Sequence, residues 1–299
     1  MTQRLYIVDV FAERRYAGNP LAVVIGERYP DADTMQRIAA EMNFSETTFV
    51  RAAPEASGAW RVRIFTPARE LDFAGHPILG TAWVLREHVA AQPPARVVLE
   101  LSVGRVPVTF EPAPGGGDTA WFAAPPMTLG TIPDLGELTG ALGLAADDID
   151  PRAPAQVVAA GTAAVIVPLR SLDALRRARL DLDAYAPLAA AGCPPLVYLF
   201  CAGTRDARND LSARFFFEAH GVREDPATGN GAAFLGAYLL EHRLLGGDDL
   251  DLRIEQGHDL GRPSLVMLRA RLRGGAREIS VGGRVVETVR GELVMGNGE

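Results

Sequence analysis

The chain contains no lysine: all 30 basic residues among its 299 are arginine. Schiff-base aldolases and pyridoxal phosphate enzymes need a lysine amine, so both are excluded. A phosphate-binding P-loop needs its lysine as well. Arginine stays protonated at any working pH, so a proton carrier must be a carboxylate, histidine, tyrosine or cysteine. Cysteine is nearly as scarce; Cys193 and Cys201 are the only two and imply no disulfide framework. No apolar run reaches the roughly 20 residues of a membrane-spanning helix. A net charge of −7 leaves no electrostatic footprint for nucleic acid. The five histidines show no metal-ligand spacing, and no Gly-x-Ser-x-Gly elbow occurs. Neither a catalytic metal nor a serine hydrolase is expected. Residues 5–11 read as a strand with no signal-peptide pattern before them, so a cytoplasmic protein is expected.

What is present is a repeat. Gly75-His76-Pro77 precedes an apolar segment ending in Glu87-His88, and Gly229-Asn230-Gly231 precedes one ending in Glu241-His242. The offset is 229 − 75 = 154 at both ends. Gly80, Thr81 and Ala82 in one segment, and Ala233, Gly236 and Ala237 in the other, suit helices closely wrapped by strands. Each segment is read as an amphipathic helix, and the pair predicts an internal duplication. The rest is mostly strands: 4–11, 21–25, 47–52, 60–65, 97–101, 105–110 and 119–123, then 157–158, 164–168, 196–201 and 212–217, and finally 264–272, 278–281 and 284–289. Further helices are read at 33–42, capped by Asp33 or a residue just before it, and at 134–142, 173–179 and 183–191. Residues 111–118 read as a long hairpin turn. The hinge between the two halves falls at 123–126.

The candidate chemistry gathers at the two helix starts. A helix N-terminus leaves backbone N–H groups without intrahelical partners and carries positive partial charge. Glycine there lets an anion approach the backbone. Gly75-His76 and Gly229-Asn230-Gly231 both fit, although glycines that only permit helix packing would read the same way. If the repeats face each other, the two positive ends converge on one cleft, and a carboxylate is the natural ligand. Glu46, in Asn43-Phe-Ser-Glu46-Thr-Thr-Phe49, is the best candidate base: phenylalanines on both sides would partly desolvate it. A capping or surface role is the plainer alternative for it. His76 and Asp225, each beside a helix start, complete the candidate catalytic set. His88, His242 and His258 look like surface residues, and His220 is a weaker rival to His76.

Five segments in order resemble the PhzF-type phenazine-biosynthesis family. They are Tyr16-Ala-Gly-Asn19-Pro-Leu-Ala-Val-Val24, the Glu46 segment, Phe65-Thr-Pro-Ala-Arg-Glu-Leu-Asp-Phe-Ala-Gly-His76-Pro77, Glu224-Asp225-Pro-Ala-Thr228-Gly229 and Val281-Gly-Gly-Arg-Val-Val286. The resemblance implies an α+β, diaminopimelate-epimerase-like fold. Its two pseudo-symmetric domains, 1–123 with 281–299 and 124–280, would each wrap a β-barrel-like sheet around a central α-helix, with the active site between them. It also implies a cofactor-independent isomerase, usually a homodimer; the best-known member acts on a trans-2,3-dihydro-3-hydroxyanthranilate. By motif position the proton-shuttling glutamate is Glu46, the helix-start histidine His76 and the aspartate Asp225. Asn19, Gly75, Thr228, Gly229 and Asn230 form the expected substrate-binding set. Two positions depart from the family pattern: Ile78 stands where threonine is common after His-Pro, and Asn230-Gly231 stands where Ser-Ala is common. The two-cysteine racemases of this fold carry a thiol at each helix start; here those positions are Ala74 and Thr228.

The expected reaction is therefore a proton shift in a small carboxylic acid, with Glu46 removing and returning the proton and moving a double bond. Two alternatives stand beside it: an amino-acid epimerase without catalytic cysteines, which needs Asp225 as the second acid, and a non-catalytic small-carboxylate-binding protein. No cofactor, nucleic acid or membrane partner is expected.

Overall fold

A computed structural model describes residues 3–217 and 223–295. His220 lies outside the described residues. The chain divides into two compact units, Met1–Ala123 with Gly282–Glu299, and Ala124–Val281.

The first unit begins β1 (Gln3–Val10), β2 (Asn19–Gly26), α1 (Ala32–Met42), β3 (Glu46–Arg51), β4 (Trp60–Phe65) and β5 (Glu70–Leu71). It continues with α2 (Gly75–His88), β6 (Arg96–Leu101), β7 (Gly104–Pro112) and β8 (Asp118–Ala123). The second unit holds β9 (Thr128–Leu129), α3 (Leu135–Leu142), β10 (Gln156–Ala160), β11 (Thr162–Pro168), α4 (Leu172–Arg177), α5 (Leu182–Ala190) and β12 (Val197–Cys201). Then come β13 (Leu211–Phe216), β14 (Glu224–Asp225), α6 (Gly229–His242), β15 (Asp249–Gln256) and β16 (Ser264–Arg273). Strand β17 (Ala276–Gly283) carries the chain out of that unit, and β18 (Val285–Leu293) closes the first, antiparallel to β1.

In the first unit β1 pairs antiparallel with β2, and β2 runs parallel to β3. Strands β3 and β4 are antiparallel, β4 and β6 parallel, and β6, β7 and β8 form successive hairpins. Helix α2 touches β1, β2, β3, β6, β7, β8 and β18, so the sheet surrounds it. Ten of its residues are buried, on nearly every face. The amphipathic reading of both repeat helices is thus corrected: α6 is buried over eleven positions and packs on β10, β11 and β16. A helix that is apolar all round belongs inside a core. The small residues make the enclosure possible. A Cβ on Gly80 would stand 2.6 Å from Leu21 Cδ2, and one on Gly236 3.0 Å from Leu268 Cδ1. Thr81, also inside, satisfies its hydroxyl on Thr48 Oγ1 at 2.8 Å.

In the second unit β11 runs parallel to β12, β12 antiparallel to β13, and β13 parallel to β15. Alternation sorts the two faces. Val165, Val167, Val197, Leu199 and Phe216 pack with Leu138, Leu175, Tyr185 and Leu188 from α3, α4 and α5. The residues between them, such as Phe200, turn the other way; its ring meets Tyr238 of α6 at 5.8 Å.

The cap of α1 is Asp31, just before Asp33, and its side chain accepts from Thr34 N–H. Two further sequence readings need correction. Strands β5, β9, β14 and β15 are additional to the expected set. The three histidines read as surface residues are half-buried instead. His88 stacks on Tyr6 at 4.8 Å and meets Glu287 at 2.6 Å, His242 contacts Gln156 at 2.8 Å, and burial lowers the pKa of His258.

Candidate active site

In the first unit, three buried side chains meet at the start of α2. Asn19 opens β2, Glu46 opens β3, and His76 is the second residue of α2. The two strands run parallel with Leu21 opposite Glu46, so both openings lie at one end of the sheet. Asn19, His76 and Glu46 are 0%, 4% and 6% exposed. Asn19 Nδ2 lies 3.2 Å from His76 Nδ1. An amide nitrogen only donates, so Nδ1 accepts and the imidazole proton sits on Nε2. That nitrogen faces Glu46 Oε2 at 3.4 Å. Burial pulls the His76 pKa from 6.5 down to about 3, so the ring is neutral near pH 7. A neutral Nε2–H is a hydrogen-bond donor and a poor acid, which leaves Glu46 as the group able to carry a proton. The 3.4 Å separation is long for a hydrogen bond, and catalytic contacts of this kind commonly tighten once substrate binds.

In the second unit, Asp225 sits on the short strand β14. Its neighbour Glu224 points to the opposite face and is held by Arg214 through two bonds of 2.9 and 2.7 Å. Arg214 Nη1 also donates to the Leu175 and Ala178 carbonyls, both at 2.9 Å. Asp225 lies opposite Phe215, and Phe215 opposite Tyr198, so these three share the sheet face that looks toward α6. A Cβ on Gly231 would stand 2.4 Å from the Tyr198 ring. The Tyr198 hydroxyl is buried without a hydrogen-bond partner among the described residues. Burial first, and the charge of Asp225 second, push its pKa up, so the phenol keeps its proton.

Both helix starts lack a side-chain cap. Ala74 before α2 has no group to offer, and Thr228 before α6 gives its hydroxyl to Asp225 Oδ2. Gly75, Gly229 and Asn230 form the first turns themselves. Glu46, His76, Asn19 and Gly75 are thus gathered in one unit, and Asp225, Thr228, Gly229 and Asn230 in the other. Among the described residues no group of three or more His, Cys, Asp or Glu is placed to hold a metal ion. No helix among them is long and apolar enough to cross a membrane. Sequence reasoning passed over Tyr198, which only strand register places beside Asp225. It also passed over Gln256, which touches Asp225 and Thr228. The alternating run Leu250, Leu252, Ile254 would have revealed β15 and put Gln256 at its end.

The family model of the phenazine biosynthesis-like protein matches residues 8–291. A trans-2,3-dihydro-3-hydroxyanthranilate isomerase of Pseudomonas chlororaphis is 36% identical over 97% of this chain and 98% of its own. An uncharacterised isomerase of Mesorhizobium japonicum is 34% identical over 98% of this chain and 99% of its own. Among solved structures, a PhzF-family phenazine biosynthesis protein of Bacillus anthracis superposes with a TM-score of 0.89 at 25% identity, covering 99% of this chain and all (100%) of that one.

Proposed function

This chain belongs to the phenazine biosynthesis-like family of isomerases, and from that footing we propose that its substrate is a small cyclic carboxylic acid of the dihydro-hydroxyanthranilate type. Glu46 takes a proton from a carbon next to an unsaturated system. The electron pair shifts the double bond, and the same acid returns a proton to another carbon. One proton leaves and one arrives, so no cofactor is required. The observation that carries this reading is the buried Glu46–His76–Asn19 group, in which the imidazole is neutral and donates.

In the first unit His76 Nε2–H orients Glu46 or a substrate oxygen, and in the second Asp225 is an acceptor for a substrate hydrogen bond. The uncapped first turns at Gly75 and at Gly229-Asn230 each leave backbone N–H groups open to an anion. Asn19 and Thr228 act by holding His76 and Asp225. Ile78 and Asn230-Gly231 fall in these first turns, so they bear on which acid is taken. We further propose a homodimer working in the cytoplasm; two buried free thiols suit a reducing compartment.

Incubation with trans-2,3-dihydro-3-hydroxyanthranilate in deuterated water tests the reading by NMR. Deuterium at a new carbon, with the double bond moved, is the expected outcome. Deuterium at the original carbon with inversion would make the protein an epimerase, and saturable binding without label would make it a carrier.

A further inference from the structure

Gln256, the last residue of β15, is 1% exposed, and its amide is fully engaged. Nε2 donates to the Asp225 carbonyl at 2.9 Å and to Thr228 Oγ1 at 3.1 Å. Oε1 accepts from the Thr228 backbone N–H at 3.2 Å. Exchanging the amide N and O would set an acceptor against a carbonyl and a donor against an N–H, so the partners fix its orientation. A threonine hydroxyl has one proton. Because Gln256 donates to Thr228 Oγ1, that oxygen is an acceptor on this side, and its proton is directed to Asp225 Oδ2. The residue that would ordinarily cap α6 is thereby turned into a donor to a carboxylate.

The flanking residues make the arrangement rigid. Glu255, also 1% exposed, accepts from Arg205 N at 2.9 Å, Asp206 N at 2.8 Å, Asn209 Nδ2 at 2.8 Å and Ser212 Oγ at 3.1 Å. Burial works to raise its pKa, but those donors prevail and hold it below the ordinary value. Gly257 has φ +72°, and a Cβ there would stand 2.5 Å from the Pro226 carbonyl oxygen. Gln256 and Gly257 thus hold the end of β15 against the loop in front of α6, and Glu255 fastens it to residues 205–212.

We propose that Gln256 is a positioning residue for Asp225: through the Thr228 hydroxyl it keeps that carboxylate ionised and oriented as an acceptor. The inference rests on the reading of Asp225 as a substrate-facing group. Asp225 is 6% exposed, and a buried carboxylate takes up a proton more readily when it loses a donor. Among the described residues, its charged and titratable neighbours include Tyr198, Glu224, Arg214 and Glu255. Tyr198 of β12 faces it as a neutral phenol. Glu224 and Arg214 are paired on the other face, and Glu255 is closed within its own network.

Titration of ¹³C-carboxyl-labelled aspartate by NMR, with the Asp225 signal identified by its loss in Asp225→Asn, reads this without any substrate. Thr228→Val and Gln256→Leu should each raise the Asp225 midpoint by about one to two pH units, the worth of a hydrogen bond to a charged group. Thr228→Ser should restore the wild-type midpoint. The acid limb of kcat/KM should move with the midpoint. An unshifted midpoint in Thr228→Val overturns the proposal, as does a shift there with none in folded Gln256→Leu. If Gln256→Leu does not fold, Gln256→Glu, which turns the Thr228 hydroxyl away from Asp225, takes its place with the same criterion. Failure to turn over dihydro-hydroxyanthranilate would count against the proposed substrate and leave the titration result standing.

Discussion

Six α-helices lie among the described residues, and their starts fall into two kinds. Helices α1, α3, α4 and α5 begin at Asp31, Asp134, Ser171 and Asp181, each with its side chain accepting from a first-turn N–H. Helices α2 and α6, enclosed by sheet, begin at Ala74 and Thr228 with no side-chain cap. The outer helices close their own N-termini by local chemistry, whereas the central ones leave that position to something else. They also differ from each other. The start of α2 holds a loosely spaced Glu46–His76 pair, and the start of α6 holds an aspartate clamped through Thr228 and Gln256. Looseness suits a group that must gain and lose a proton, and clamping suits one that must stay put.

The largest expected effect lies at the loose pair. Glu46→Gln keeps shape and polarity but cannot take the proton, and turnover should fall roughly 10²–10⁴-fold with substrate affinity within about a few-fold. Asp225→Asn should lose both rate and affinity. Steady-state kinetics with a dissociation constant for each variant checks this; near-normal turnover in Glu46→Gln would transfer the base role to Asp225.

A smaller effect comes from His76. Its pKa is about 3 in the folded protein against 6.5 ordinarily. Between those values the unfolded chain carries the proton and the folded chain does not. Stability therefore falls as pH drops from 6.5 toward 3, by up to about 1.4 kcal/mol per pH unit. Urea unfolding across pH 4.5–7, roughly the measurable part of that window, should show a shallower slope in His76→Asn. Equal slopes would mean that the native imidazole is already charged.

The smallest effect separates the two kinds of helix start most directly. Asp134→Ala should cost about 1 kcal/mol of stability and leave turnover unchanged. Ala74→Ser should do the reverse, supplying a cap to α2 and raising KM because the new hydroxyl competes for the same N–H groups. A rise in stability with KM unchanged would show that the first turn of α2 does not meet the substrate.

Much of this was legible in the residues. The β-branched runs placed most strands, and the 154-residue offset found both central helices with matching ends. What stayed hidden depends on enclosure and register. Gly231 reads as a site for anion approach, yet its missing Cβ also makes room for Tyr198, a strand residue far away in the chain. His88 reads as exposed because it ends a helix; Tyr6 and Glu287, from opposite ends of the chain, enclose it. Asp225 and Thr228 stood out by motif, but Gln256 is uncharged, belongs to no motif and acts only where β15 meets the loop before α6.

The strand β18 bears on how this chain leaves the ribosome. Strand β1 has β2 on one side within a short stretch of chain, but its other side waits for β18, with Gln3 opposite Leu293. Every strand of the second unit is synthesised before that partner emerges. Until then β1 presents an open edge, the kind of surface that pairs with the wrong chain. Pairings so distant in sequence also form slowly. The unit that carries Glu46 and His76 is thus the one whose sheet is completed last, and a nascent chain stalled before β18 would hold a finished second unit and an unfinished first.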